Sequence, residues 1–210
     1  MSAGEQPSDN DVTLASYEQA ADRYTAVTSH RPRPAELEFF TTMAARIGEG
    51  GHLLELGSGP GRDAVVLESL GLVVDRTDAA QSFLAQLSAD GFTARRLNAI
   101  DDELGGPYDG VFANAVFLHF SRAELVGVLA KIRGALRAGG VLAFSVKEGD
   151  NEAWSDGKLG HPRHFTFWRE QNLRQMLESG GWHVESLDRI HGVEPWLYAM
   201  ASPATPSIPA

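Results

Sequence analysis

The chain has 210 residues, 43% of them hydrophobic, enough for one α/β domain with a real core and too few for two comfortable ones. Acids outnumber bases 28 to 18, a net charge of −10, which disfavours nucleic acid as a partner because phosphate neutralisation supplies most of such affinity. There is no cysteine, so disulfides, thiolate zinc sites and a cysteine nucleophile are excluded.

The opening stretch MSAGEQPSDNDV is polar and acidic, unlike a signal peptide, and no apolar run approaches the about 20 residues of a membrane helix. A cytoplasmic protein with no membrane partner is expected. Residues 1–12 lack periodicity and read as a disordered tail, as does the Pro-rich SPATPSIPA from Ser202 to 210. Residues 13–201 read as a single domain, with 13–48 forming helices outside its repeating unit.

From Thr13, apolar residues recur at Leu14, Tyr17, Ala21 and Tyr24, a helical stripe with both tyrosines on one face. SHRPRP breaks it, and Pro34 suits the first turn of a second helix carrying Leu37, Phe40, Ala44 and Ile47. His52 to Leu56 reads as a buried strand, followed by a glycine loop and a helix from Ala64 to Leu70. Strands are expected at Leu72–Thr77, Thr93–Leu97 and Tyr108–Ala113, with a helix at Phe83, Leu84 and Leu87 between the first two. Ser121-Arg122-Ala123-Glu124 is a capping box opening a helix with the stripe Leu125, Val128, Leu129, Ile132 and Leu136, stopped at Gly139-Gly140. Val141–Val146 is a fully apolar strand, Arg169–Glu178 a helix, and His183–Leu187 and Trp196–Met200 two last strands. Strands alternating with helices argue a parallel sheet covered on both faces, with the first two helices as a lid.

The stretch LLELGSGPGRDA places Gly57, Gly59 and Gly61 between a buried strand and a helix start. Such a loop lets the chain turn sharply, lets backbone approach a ligand, and leaves open N–H groups at the helix start. The dinucleotide fingerprint G-x-G-x-x-G/A fits poorly, because Arg62 stands where a small residue belongs; a P-loop is excluded, since no G-K-[ST] follows.

The run E-L-G-S-G-P-G resembles motif I, (D/E)-x-G-x-G-x-G, of the class I S-adenosylmethionine-dependent methyltransferases. Further stretches resemble the family in the same order. Asp78 ends the second strand, Pro107-Tyr108-Asp109-Gly110-Val111 is similar to its (F/Y)-D-x-V strand, Leu136-Arg137-Ala138-Gly139-Gly140 to its L-(K/R)-x-G-G helix end, and Gly180-Gly181-Trp182 to its late glycine step. The resemblance runs from about Tyr17 to Met200. It implies a three-layer α/β sandwich with a mostly parallel seven-stranded sheet, the last strand antiparallel, and S-adenosylmethionine as cofactor.

By the same resemblance Glu55 faces the methionine end of the cofactor, and Gly57, Gly59 and Gly61 line it with backbone. Asp78, in competition with Asp75, takes the ribose hydroxyls. Asn98 stands where the family places an acid for the adenine, followed by Ala99, with Asp101 and Asp102 close by. Asn114 flanks the methionine part, and Tyr17 and Tyr24 close the site from the first helix. The alternative for that pair is a core-facing couple beside a solvated Arg23.

Methyl transfer from a sulfonium needs an in-line nucleophile, and a base only when that nucleophile carries a proton. His119, in VFLHF after the fourth strand, and His164, in HPRHFTFW, are the candidate catalytic bases; Lys147 and Glu148 sit at the mouth of the sheet. Trp154, Phe165, Phe167 and Trp168 are candidate pocket walls or core. Asp156, His161 and His164 on one loop make a poor metal site, so no metal is expected. The expected function is O- or N-methylation of a small molecule, by a monomer or homodimer. A non-catalytic cofactor-binding protein is the first alternative and an NAD-dependent oxidoreductase the second.

Overall fold

The computed structural model describes residues 6–28, 31–191 and 194–205. Two helices come first, α1 (Asp9–Thr28) and α2 (Pro34–Ile47), then β1 (His52–Leu56), α3 (Arg62–Ser69), β2 (Val73–Asp78), α4 (Gln81–Ala89) and β3 (Arg95–Arg96). β4 (Tyr108–Asn114) follows, then a 3₁₀ turn at Phe117–His119, α5 (Arg122–Ala135) and β5 (Leu136–Lys147). A hairpin of β6 (Glu152–Ser155) and β7 (Arg163–Thr166) precedes α6 (Glu170–Ser179), β8 (Trp182–Ile190) and β9 (Trp196–Pro203).

Seven strands form one sheet in the order β3-β2-β1-β4-β5-β9-β8, in which β9 runs antiparallel to both neighbours and the other pairs are parallel. The order reverses between β1 and β4, so their carboxyl ends open a crevice, the place where open α/β sheets bind ligands. Both faces are covered, which explains why the strands read as continuous apolar runs rather than alternating ones. Leu53 and Phe112 pack with Phe40, Met43 and Leu67 from α2 and α3, while the adjacent Leu54 and Val111 pack with Leu125, Ile132, Leu173 and Leu177 from α5 and α6. This is the expected three-layer sandwich.

Several boundaries differ from expectation, each for a local reason. The first helix begins at Asp9, inside the stretch read as a tail: the Ser8 hydroxyl accepts from the Asp11 N–H at 3.1 Å and the Asp11 carboxylate accepts from the Ser8 N–H at 2.9 Å. That reciprocal cap is an S-x-x-D signal. β9 continues through Ser202 and Pro203, because Trp182 and His183 of β8 pair with them; residues 1–5 and 206–210 of the two expected tails lie outside the described residues. α5 stops at Ala135, short of the glycines, and Leu136 pairs with Tyr108 as the start of β5. The third strand is reduced to Arg95 and Arg96, and the hairpin of β6 and β7 stands where only a loop was expected.

Candidate functional site

The crevice is roofed by α1, whose path kinks at Ala20 (φ −122°, ψ 20°), between the two tyrosines. Its first half is tied to the hairpin side, where Ser16 Oγ donates to the Pro162 carbonyl at 2.6 Å. Its second half is tied to α4, where Thr25 Oγ1 donates to Gln86 Oε1 at 2.8 Å; Glu18, just before the kink, also reaches α4, accepting from the Ser82 N–H at 2.9 Å. The tyrosine rings meet edge-on at 5.4 Å, and Tyr24 packs on Phe83 at 5.5 Å, so both are site walls with their hydroxyls desolvated and harder to ionise than usual.

Three cavities meet beneath this roof. The first, about 100 Å³, is lined by Tyr17, Tyr24, Gly57, Gly59, Asp78, Asn98, Ala99 and Asn114, among others. The second, about 280 Å³, lies over the glycine loop and is lined by Arg33, Glu36, Arg62, Asp63, Asn114 and Tyr198. The third, about 330 Å³, is lined by His119, Lys147, Lys158, Arg163, Phe165 and Trp196. Tyr24 and Ala115 border all three. Ala115 holds a φ of 59°, a left-handed conformation that a non-glycine residue rarely adopts.

The glycines divide their work. All three have positive φ, at 68°, 52° and 80° for Gly57, Gly59 and Gly61. An added Cβ at Gly61 would come within 2.6 Å of Leu87 Cδ2, so this glycine serves the packing of α3 on α4 and does not line the first cavity, contrary to expectation. At Gly59 an added Cβ would meet only Tyr24, at 3.6 Å, so its open side faces the cavity. Arg62 points into the second cavity, Nε to Asp63 Oδ1 at 2.6 Å, rather than against the sheet.

Asp78, and not Asp75, reaches the first cavity. Its Oδ2 accepts from the Gly59 N–H and its Oδ1 from the Ala80 N–H, each at 2.8 Å. Burial raises its carboxyl to about 6 despite these two bonds, and among the described residues no cation pairs with it. Asp75 is spent elsewhere, taking the Arg95 guanidinium at 3.0 Å and the Tyr108 hydroxyl at 2.8 Å.

Glu55 sits one layer below the cavities and borders none of the three. It is 2% exposed, and the Ser58 hydroxyl donates to its Oε2 at 2.5 Å. Burial, and next the negative charge of Asp63, push its carboxyl up to about 8. The acids that do reach the second cavity are Asp63 and Glu36, which the sequence reading missed. Asp63 Oδ2 accepts from Asn114 Nδ2 at 2.7 Å; Glu36 accepts from the Tyr198 hydroxyl at 3.1 Å and the Arg33 N–H at 2.7 Å. Asn98 lines the first cavity, but its amide oxygen already accepts from the Ile100 N–H at 3.1 Å and its Nδ2 donates to Asp101 at 2.8 Å.

His119 borders the first and third cavities. Its Nδ1 lies 2.7 Å from the His164 carbonyl, which can only accept, so Nδ1 carries the proton and Nε2 accepts from the Tyr17 hydroxyl at 2.8 Å. Burial pushes the imidazole down to about 3, and the charges of Arg163 and Lys147 push the same way. A neutral ring with both nitrogens engaged is a poor proton acceptor, so the geometry gives His119 a structural part rather than that of a base. The side chain of His164 borders none of the three cavities; it faces Glu152 and Asp9, with Nε2 at 3.5 and 3.7 Å from their carboxylates. The expectation of a base at His164 therefore fails on position.

Of the other candidates, Lys147 lines the third cavity and pairs with Glu194 at 2.5 Å, whereas Glu148 pairs with Arg189 at 2.5 Å. Phe165 walls the third cavity, Trp168 is core, and Trp154 is 47% exposed.

Residues 54–142 match the family model described as a methyltransferase domain. Among solved structures, the chain is similar to the complex of DhpI with SAH at 23% identity and a TM-score of 0.73, covering 92% of this chain and 96% of that one. It is also similar to the Burkholderia thailandensis 1,6-didemethyltoxoflavin-N1-methyltransferase at 17% identity, TM-score 0.73, covering 98% and 94%, a structure with bound 1,6-didemethyltoxoflavin and S-adenosylhomocysteine. A third is the CcbJ methyltransferase of Streptomyces caelestis, at 17% identity, TM-score 0.69, covering 89% and 98%. No curated protein sequence matches. Residues 54–142 are thus similar to a methyltransferase domain, and these solved structures share their fold with nearly all of the chain.

Proposed function

We propose that the protein is an S-adenosylmethionine-dependent methyltransferase acting on a small molecule. The observation that carries this reading is Asp78: a carboxylate 7% exposed, without a cation partner among the described residues, held by two backbone N–H groups at the end of β2 and turned to the cavity beside the glycine loop. Each of its oxygens keeps a lone pair for a diol, the recognition unit of a ribose. Beside it, the second cavity presents Arg33 and Arg62 together with Glu36 and Asp63, a mixed set suited to an amino acid's carboxylate and ammonium.

S-adenosylmethionine, when bound, supplies a methyl group on a sulfonium that is already a good leaving group. The protein's residues then have three tasks. Asp78, Gly57 and Gly59 hold the nucleoside side, and the residues of the second cavity hold the amino-acid side. Tyr17 and Tyr24 exclude water where the three cavities meet, and the third cavity orients the acceptor in line with the methyl. Its volume, about 330 Å³, falls at the small end of ordinary ligand pockets, about 300–1,000 Å³. The first cavity, about 100 Å³, and the second, about 280 Å³, adjoin at Tyr24, Gly57, Gly59 and Asn114, so the cofactor spans both.

Calorimetric titration with S-adenosylmethionine, S-adenosylhomocysteine and NAD tests the reading. Binding of the first two and not of NAD is expected. A preference for NAD overturns it, and tight binding without methylation of any acceptor leaves a cofactor-binding protein instead.

A further inference from the structure

The third cavity has an unusual charge. Three cations line it, Lys147, Lys158 and Arg163, against one carboxylate, Glu194, whose side chain is 55% exposed. Arg163 is the decisive one. It stands on β7, is 4% exposed, and forms no ion pair with any described carboxylate. Among the described residues its Nε has no hydrogen-bond partner, and its NH1 donates only to the Tyr17 hydroxyl, at 3.3 Å. The guanidinium lies between the rings of Tyr17 and Phe165, 5.6 and 5.1 Å from their centroids. Lys147 Nζ shares the Phe165 ring at 4.7 Å, and Lys158 Nζ sits over Tyr24 at 5.1 Å.

Burying a guanidinium without a carboxylate is costly, and rings recover only part of that cost. The neighbouring positive charges add to the cost. Lys158 feels them: desolvation, then the charges of Arg163 and Lys147, hold its ammonium below the usual lysine range. A fold that keeps such a cluster beside a cavity is built for an anion that completes it.

We propose that the third cavity is an oxyanion subsite, and that the methyl acceptor is a small molecule carrying a carboxylate or phosphoryl group seated on Arg163, Lys147 and Lys158. The proposal rests on the methyltransferase reading for its word "acceptor", not for the anion site itself. It also fits the absence of a free base at His119. An oxyanion nucleophile brings its electron pair without a proton: the new bond forms to its oxygen, the carbon–sulfur bond breaks with its pair going to sulfur, and no proton is displaced.

The test titrates the protein, first saturated with S-adenosylhomocysteine and then without it, with inorganic phosphate and with acetate at constant ionic strength. Binding is followed by calorimetry, with chloride as the control. Saturable one-site binding of phosphate or acetate over chloride is expected, weakened about tenfold in Arg163→Met, as befits loss of a charge-assisted pair. Because Arg163 is buried and its variant can lose the fold, Glu194→Gln is the second variant. It removes the exposed acid that competes for Lys147, and anion binding should tighten severalfold. If S-adenosylhomocysteine binds but neither anion does, or if Glu194→Gln leaves anion affinity unchanged, the subsite proposal is overturned. If S-adenosylhomocysteine does not bind while phosphate or acetate does, the methyltransferase reading fails and the anion site stands.

Discussion

The Tyr17 hydroxyl donates to His119 Nε2 at 2.8 Å, joining the roof helix to the turn after β4 across the mouth of the site. The bond fixes the histidine's tautomer, since Nδ1 is committed to the His164 carbonyl at 2.7 Å. The same Tyr17 oxygen is the one hydrogen-bond acceptor of Arg163 among the described residues, at 3.3 Å. Roof, turn and hairpin therefore share one polar chain, in which the histidine is a strut.

A strut of this kind should not titrate near neutrality. With the imidazole pushed down to about 3 by burial, His119 is expected to stay neutral and Nδ1-protonated from pH 5 to pH 8. Nitrogen-15 chemical shifts of the ring, assigned by comparison with His119→Gln, would read this directly. A midpoint near the ordinary histidine value would restore the residue as a candidate base.

The glycine loop gives a steric prediction. Gly59 has its open side toward the first cavity and only Tyr24 nearby, so Gly59→Leu projects its side chain into the space assigned to the cofactor. Loss of measurable S-adenosylhomocysteine binding is expected, with an unchanged circular dichroism spectrum. Its thermal midpoint should fall by several degrees at most, because a leucine at φ 52° costs about 1–2 kcal/mol. Retained affinity would mean that the ligand lies elsewhere.

What the sequence disclosed and what it hid follow from the range of the interactions. That Gly59 and Asp78 line one cavity was legible because their placement depends on a strand end and the turn after it, both local patterns. The choice of Asp78 over Asp75 needed the neighbouring strands, since Arg95 and Tyr108 claim Asp75. The resemblance sets Glu55 at the methionine end of the cofactor, whereas in the fold its carboxylate takes the hydroxyl of Ser58, three residues on. Arg163 was invisible for the opposite reason. Tyr17, the residue it donates to, is 146 positions away, and an arginine in a Gly- and His-rich stretch gives no local sign of burial.

Asp78 also sets a pH dependence. The ribose hydroxyls are donors, so the ionised carboxylate is the binding form, and its carboxyl is raised to about 6 by burial. Affinity for S-adenosylhomocysteine should be level at pH 7 to 8 and fall as pH drops through 6, approaching tenfold per unit at the limit. Asp78→Asn should weaken binding about 10- to 100-fold, in line with two lost charge-assisted bonds. Its amide NH₂ would also face the N–H of either Gly59 or Ala80, donor against donor. Calorimetry across pH 5 to 8 tests both statements; a flat profile in the wild type would refute the assignment of Asp78.

Glu55 yields the last prediction, one of stability rather than binding. Its carboxyl is raised from 4.5 to about 8, so the folded state holds a proton that the unfolded state releases across that interval. The stability tied to this proton is fully present below about pH 4.5 and is lost as pH rises through 8. Glu55→Gln keeps an amide oxygen for Ser58 and has nothing to titrate. The melting temperature of the wild type should therefore decline relative to that of the variant from pH 5 to pH 8.5, and the other carboxylates cancel in the comparison. A melting-temperature difference that stays constant across that range would show Glu55 to be ionised in the fold, and would place an unrecognised cation or solvent path beside β1.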